Sequence, residues 1–493
     1  MIKTRKLLIA STLLSIACQH PSESNKKEFE SRNPEFTVQF ETEIKKIYEE
    51  NELFGDFIFA VVDENGLAYS FALNRAILEG RKSSLDDNSP IYIASHTKSF
   101  TGTLLKILEE KGQLDLNEPI ANYLPELNFN DSIDTKTINI RALLNHTHGT
   151  FSNTLTWKTA FLGYSGDNAE LIKDLNTDFL HDPSRKFRYS NVGPILAGFV
   201  AKRATGTTWK NEMKNQIFEP LQMKNTSANV TEFDFQAIRP SVTASKEKGI
   251  VDTGFYKKDV TMHASGGVIS TINDLSKWLS ANIRQDEKLM KKSAWSDLHS
   301  STTVQDRAYF TYKRTGYSLG WDVAEYQKEL ILTRFGGLAG ISFHISFLPE
   351  KDIGVIAFST DNRAFALPHL MANYAYNQLN SLNADSIFKI EKERFNKSFE
   401  KENEISYPDE TSLLEKTPSN NTIVGEYRTT SDWPAISISN HDNHYIFHWG
   451  VLNGKIYKTE EGRFLSRLGV LERKFKIKND SLITGSLIYT KIE

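Results

Sequence analysis

Residues 91–108 read IYIASHTKSFTGTLLKIL, and this stretch decides how the rest of the chain is to be understood. It opens on β-branched and aromatic residues, which suit a strand, and after Ala94 its apolar positions Phe100, Leu104, Leu105, Ile107 and Leu108 take helical spacing. Ser95 therefore stands where a helix begins. Lys98 lies one turn further on the same face, so its amine can reach the Ser95 hydroxyl. A seryl nucleophile needs a neighbouring base, and a helix start supplies N–H donors and a partial positive charge that favour a developing oxyanion. The pattern points to a serine hydrolase with Ser95 as nucleophile and Lys98 as its partner.

Upstream, Phe40, Ile44, Ile47 and Tyr48 recur at helical spacing, which predicts an amphipathic helix over 37–52. Strands follow at Phe57 to Val62 and Leu67 to Leu73, joined by the turn Asp63-Glu64-Asn65-Gly66. Downstream, the helix begun at Ser95 has a C-cap in Gly112. The pattern from 151 to 290 is mostly helical, clearest at 192–204, 208–217 and 272–283. Strands return at Ile341 to Phe347, where apolar residues alternate with Ser342, His344 and Ser346, the mark of a half-buried strand, and at Ile353 to Ser359. A helix from Pro368 to Leu379 closes the region. Strands at both ends of the segment with helices between them imply one antiparallel sheet assembled from distant parts of the chain, an α/β (α+β) domain over 37–385. Residues 386–420 are charged and read as a partly helical linker; the short strand patterns of 421–493 predict a small antiparallel β domain.

The chain has 493 residues, 39% of them hydrophobic, and a formal net charge of −3. A core for two domains is available, and no basic footprint for nucleic acid is present. The single cysteine is informative by position. Residues 1–18 run from basic Lys3, Arg5 and Lys6 through the apolar stretch Leu7 to Ile16 to Ala17 and Cys18, the layout of a secretory signal too short to span a membrane. The segment resembles a bacterial lipoprotein box, with Ser15 where that box usually has Leu. The expectation is an exported protein, lipidated at Cys18, held to a cell-envelope membrane by that anchor alone, with 19–36 as a flexible polar tether. A plainly cleaved signal is the alternative.

Ser-x-x-Lys alone is a weak signal, and the chain repeats it at Ser24, Ser245 and Ser398 in charged or polar surroundings with no apolar helix behind. Ser95 gains weight from Tyr189-Ser190-Asn191, which lies in a loop entering a helix at Val192-Gly193-Pro194. A phenol beside an ammonium is held more readily as its anion, so Tyr189 and Lys98 can share the proton taken from Ser95. The Asn191 amide can orient Lys98 or the substrate.

With both motifs in view, the chain resembles the serine β-lactamase and penicillin-binding-protein superfamily, in its class C-like branch of esterases, D,D-peptidases and D-amino-acid peptidases. Ser95-His96-Thr97-Lys98 and Tyr189-Ser190-Asn191 match its first two motifs. Leu143 to Gly149 (LLNHTHG), Phe187 to Asn191 (FRYSN), Phe218 to Met223 (FEPLQM), Ala264 to Gly267 and Leu319-Gly320-Trp321 look like its other recurrent segments. The resemblance covers about 37–382. The third motif departs: the family's Lys-Thr-Gly falls on Arg334-Phe335-Gly336. Arg334 keeps a cation that could bind a substrate carboxylate or stabilise a Tyr189 phenolate, whereas Phe335 lacks the hydroxyl that helps hold that carboxylate. The resemblance further assigns the oxyanion hole to the N–H groups of Ser95 and Gly337, with Gly336 and Gly337 giving close backbone approach.

What this implies is acyl transfer through Ser95 on an ester or amide of a small acyl or D-amino-acid substrate, including peptidoglycan-derived ones, with no metal and no organic cofactor. Two alternatives stay open: a β-lactamase, and a lipoprotein that binds cell-wall fragments without turnover. His146 and His148 read as a structural loop rather than a metal site, Arg185 and Lys186 as a solvated rim, and Trp433 and Trp449 as core of the last domain.

Overall fold

In the computed structural model, residues 21–78, 84–245, 249–380, 384–399, 410–415, 417, 421–460, 462–469 and 471–492 are described. The signal segment with Cys18 lies outside them. The long helices are labelled α1 (Pro21–Arg32), α2 (Pro34–Glu50), α3 (Thr97–Glu110), α4 (Val192–Thr205), α5 (Ile272–Arg284), α6 (Leu367–Leu379) and α7 (Ala384–Phe399). The main sheet holds β1 (Phe57–Asp63), β2 (Gly66–Leu73), β3 (Thr303–Val304), β4 (Ala308–Tyr309), β5 (Tyr312–Tyr317), β6 (Asp322–Tyr326), β7 (Glu329–Thr333), β8 (Gly336–Leu338), β9 (Ile341–Leu348) and β10 (Ile353–Ser359). Its order is β4-β5-β6-β7-β9-β10-β1-β2, with β3 on β5 and β8 on β9. The N-terminal hairpin thus completes a sheet whose other strands come from the far end of the domain, with β1 antiparallel to β10.

Both faces of this sheet are covered. Phe57, Phe59 and Val61 of β1 join a core with Phe40, Ile44 and Ile47 of α2 and Leu367, Leu370 and Met371 of α6. Ile58, Ala60 and Val62 point the other way, into a core with Leu104 and Leu108 of α3 and Trp278 and Leu279 of α5. This is why the run FIFAVV is apolar without alternation. The same two-sided cover corrects the reading of β9 as half-buried. Ser342, His344 and Ser346 are buried as fully as the apolar residues between them. Ser346 Oγ lies 3.0 Å from the Tyr376 hydroxyl of α6, and Ser342 donates to the Phe365 carbonyl at 2.6 Å. Helix α6 and the segment leading into it supply polar partners that solvent was expected to supply.

The expected tether is also corrected over Pro21–Arg32, which is helical. Asn25 donates to Asp63 (3.1 Å), Lys26 donates to Ser70 (2.9 Å) and Asp87 (2.8 Å), and the Phe29 ring stacks on Tyr69 at 6.1 Å. These contacts with β2 and its surroundings fix a segment whose composition alone would leave it solvated. The boundary at 385 shifts for a similar reason. Helix α7, placed in the linker by its charge, buries Phe388, Glu391 and Phe395 in the α2–α6 core.

The C-terminal strands close into an eight-stranded antiparallel barrel from Gly425–Arg428 to Leu487–Ile492, the two end strands pairing with each other. It docks on the helical part of the hydrolase domain. The Val451 N–H donates to the Leu162 carbonyl at 2.7 Å, Trp449 packs on Trp157 with ring centres 5.5 Å apart, and Asp432 pairs with Lys173 at 3.0 Å. Among the described residues no helix is long and apolar enough to cross a membrane.

Candidate active site

Ser95 sits in the single 3₁₀ turn Ala94–His96 that leads into α3. Ala94 holds φ = 45°, a left-handed conformation that costs a residue with a side chain of order 1 kcal/mol and marks the nucleophile turn as constrained by its surroundings. Below the turn, His96 is buried and accepts from Trp278 Nε1 at 2.9 Å. Burial, with help from the Arg334 charge, holds this imidazole well below its ordinary pKa, so it is a neutral prop of the turn.

Lys98 follows one turn later, with 1% of its surface exposed. Its ammonium donates to Ser95 Oγ (3.2 Å), Asn191 Oδ1 (2.8 Å) and the Ser265 carbonyl (2.7 Å). All three acceptors are neutral. Burial pushes Lys98 down to about 8, the Arg334 charge adds to that push, and Tyr189 opposes it. Helix α3 reaches this depth because Gly102 lets it abut the 319–320 backbone. A β-carbon on Gly102 would sit 1.7 Å from the Leu319 carbonyl oxygen, and one on Gly320 would sit 2.5 Å from the Lys98 carbonyl oxygen.

Tyr189 and Asn191 arrive from the loop that enters α4, where Asn191 is the N-cap residue. Ser190 anchors the loop from below: its Oγ donates to the Thr150 carbonyl (3.2 Å), and its N–H donates to His146 Nδ1 (3.3 Å). The His146 ring lies 4.6 Å from the Tyr189 ring. His148 is also buried, with Nδ1 against the Thr150 hydroxyl at 2.7 Å, and burial holds it down to about 3. Both histidines brace this loop through these contacts.

The Tyr189 hydroxyl is buried, and Lys98 and Ser95 are the side chains that interact with it. Two cations flank its ring, Lys98 at 4.7 Å and Arg334 at 4.9 Å from the ring centre. Burial would raise this phenol, but the charges of Arg334 and Lys98 outweigh it and hold the phenol below its ordinary value. Arg334 itself has no exposed surface. It pairs with Asp322 at 3.0 Å, donates to the Tyr317 hydroxyl at 3.3 Å, and lies 4.4 Å from the Phe335 ring. Of the two roles open to Arg334 from sequence, its burial favours the one at the Tyr189 phenol, because a substrate carboxylate has no exposed guanidinium atom to meet.

Phe335 turns away from the nucleophile and stacks on Tyr309, with ring centres 4.0 Å apart and planes 10° from parallel. Gly336 then brings β8 against the nucleophile turn: a β-carbon there would stand 2.3 Å from the Ile93 carbonyl oxygen. Gly337, the next residue, is exposed beside that turn and pairs with Ser342 of β9. Ser95, Lys98, Tyr189, Asn191, Arg334, Gly336 and Gly337 are therefore drawn from α3, the α4 loop and β8 to one place. The sequence reading gave no site role to Asp322, Tyr317 or the Ser265 carbonyl, and it read His146 as part of a structural loop. Asp322 and Tyr317 lie close to the recurrent Leu319-Gly320-Trp321 segment and Ser265 lies within the recurrent Ala264 to Gly267 segment, which were the available signals.

A Beta-lactamase family profile matches residues 55–375, well over half of the chain and all of the site. The chain belongs to the Beta-lactamase family. It is 24% identical over 283 residues to Protein flp of Staphylococcus aureus strain MW2, a match that covers 55% of this chain and 53% of that protein. The chain thus spans about half the length of the curated relatives it matches. Among solved structures, the octameric penicillin-binding protein homologue from Pyrococcus abyssi aligns with a TM-score of 0.62 at 20% identity, over 92% of this chain and 100% of that one. The D-amino acid amidase from Ochrobactrum anthropi SV3 aligns with a TM-score of 0.56 at 18% identity, over 74% of this chain and 100% of that one. At these identities the two structures speak for the fold of the Beta-lactamase family member described here.

Proposed function

We propose that this protein is an exported serine hydrolase that forms an acyl-enzyme at Ser95 and hydrolyses an ester or amide of a small acyl or D-amino-acid substrate, in the manner of an esterase or D-alanyl peptidase. The observation that carries the reading is the Lys98 amine, buried among neutral acceptors and 3.2 Å from Ser95 Oγ. Ser95 Oγ attacks the carbonyl carbon while Lys98 and Tyr189 take its proton. N–H donors at Ser95 and Gly337 face the oxyanion in this scheme. The same pair returns the proton to the leaving group, and water, activated in turn by the pair, releases the acyl group and regenerates Ser95. Asn191 holds Lys98 and borders the substrate. No step requires a metal or an organic cofactor.

Phe335, stacked on Tyr309, offers no hydroxyl where the family places one, which speaks against efficient β-lactam hydrolysis. Export and lipidation at Cys18 rest on the basic and apolar layout of residues 1–18. They would show as partition of the full chain into detergent that Cys18→Ser abolishes.

Intact mass spectrometry over a panel of p-nitrophenyl esters, D-alanyl peptides and nitrocefin tests the catalytic reading, since a trapped mass identifies the acyl group. Adduct formation on the wild type and none on Ser95→Ala is expected. Adducts that persist in Ser95→Ala would remove the nucleophile, and inertness across the panel would favour the non-catalytic binding alternative.

A further inference from the structure

On the face of the main sheet away from Ser95, a cavity of about 240 Å³ lies between the turn joining β4 to β5 and helices α6 and α7. Phe310, Ala366, Leu370 and Phe395 make its wall apolar, and Thr311, His369, Asn373, Glu391 and Arg394 add polar groups to the lining. Glu391 is 7% exposed. Its Oε1 accepts from Asn373 Nδ2 (3.0 Å) and from the Tyr326 hydroxyl (3.3 Å). Its Oε2 and Asn373 Oδ1 are buried without a hydrogen bond of ordinary geometry, the Thr311 side chain being the other group that holds the carboxylate. His369 cannot serve them through Nε2, which lies 2.9 Å from the Thr311 hydroxyl and 3.1 Å from Asn373 Nδ2 as their shared acceptor.

Two acceptor oxygens left open in a buried site each carry a desolvation cost of roughly 1–3 kcal/mol, and a donor that reached both would recover it. The complementary group is one with several N–H donors on an apolar stem, and a primary ammonium has three. Its charge matches the one carboxyl in the lining, on which the cation there, Arg394, acts more weakly than burial or the hydrogen bonds. We propose that this cavity is a binding site for a small primary amine with an apolar body, its ammonium on Glu391 and Asn373 and its body against Phe310, Leu370 and Phe395. The site is distinct from the catalytic cluster, which lies across the sheet.

The titratable and charged groups facing Glu391 are Tyr312 and Tyr326 of the sheet, His369 of α6 and Arg394 of α7. Burial raises the Glu391 carboxyl to about 7, against the hydrogen bonds that hold its charged form and the weaker pull of Arg394. An amine probe should therefore bind more tightly as pH rises through that value, while the probe itself stays protonated.

Isothermal titration of the full chain with 2-phenylethylamine, and with 2-phenylethanol as the uncharged comparator, tests the site. Saturable one-to-one binding of the amine is expected, with the alcohol weaker by about tenfold or more, the ratio for a charge-assisted hydrogen bond. Glu391→Gln should lose about tenfold in amine affinity and the pH dependence with it, while keeping its Ser95-dependent ester turnover. Leu370→Trp, which fills the apolar end, should abolish binding of both probes. Absence of saturable binding at millimolar probe, equal affinity for amine and alcohol, or amine binding unchanged in either variant would overturn the proposal. If Glu391→Gln does not fold, the amine-to-alcohol ratio and the pH dependence in the wild type decide it.

Discussion

Two buried cations face Tyr189, and they are built in opposite ways. Arg334 has a carboxylate, Asp322, at 3.0 Å; Lys98 has no carboxylate beside it, only the oxygens of Ser95, Asn191 and Ser265 and the Tyr189 phenol. A buried cation with a counter-ion keeps its proton, and one without gives it up readily. Burial lowers Lys98 to about 8, whereas Arg334, despite equal burial, is raised by Tyr189 and Asp322. One position can therefore exchange a proton near neutral pH, and the other supplies a fixed charge that draws the Tyr189 phenol down. In the proposed mechanism this difference separates proton transfer from electrostatic support while using positive charge for both.

The largest effect should come from breaking the exchangeable side. Lys98→Met is expected to slow acylation by p-nitrophenyl acetate by about 10³-fold, the scale of a lost general base, measured as the p-nitrophenol burst. Its stability should not fall in the same proportion, because the variant removes a buried charge that has no counter-ion. The sign follows from the shift: with a folded pKa of about 8 against 10.5 unfolded, Lys98 makes the wild type more stable as pH rises between those values. Urea denaturation should show that rise in the wild type and its absence in Lys98→Met.

Breaking the paired side should invert this balance. Arg334→Met removes the closer of two cations from buried Asp322, leaving it Arg314 at 3.2 Å and the Gln305 amide at 3.0 Å, and should cost about 3 kcal/mol in urea denaturation. Because Arg334 lowers both Lys98 and Tyr189, the alkaline limb of the rate profile should also move to higher pH. Replacing Asp322 by Leu in the same chain should recover much of the stability and leave the limb displaced. Recovery of both would mean that the pair is only structural.

The smallest effect sharpens the geometry that both cations share. Gly336→Ala places a methyl against the Ile93 carbonyl and should cost roughly 1–3 kcal/mol by overpacking, with slower acylation as β8 retreats from the nucleophile turn. A variant with unchanged burst rate would mean that β8 does not border the reacting carbonyl.

How far the sequence carries this picture follows the same division. Ser95, Lys98, Tyr189 and Asn191 were legible because each pair lies within one local element, a helical turn in α3 and the loop entering α4. The pairing of Arg334 with Asp322 was not, since it is fixed by strands β6 and β7 running antiparallel, with Asp322 opposite Thr333. The charge of α7 read as a linker because the sequence does not show that Phe388, Glu391 and Phe395 share one buried face. The polar face of β9 read as solvated because its cover, α6, comes later in the chain. Local chemistry was readable, and the partners supplied by register and by covering helices were not.

The central claim is that Lys98, lacking a counter-ion, exchanges the Ser95 proton near neutral pH. The direct measurement is the rate of Ser95 acylation by p-nitrophenyl acetate, followed by intact mass across pH in the wild type and in Lys98→Met. The expected result is a wild-type rate that rises with pH and levels off above about 8, with that limb absent in the variant. A rate that is flat with pH, or an identical limb in Lys98→Met, would contradict it.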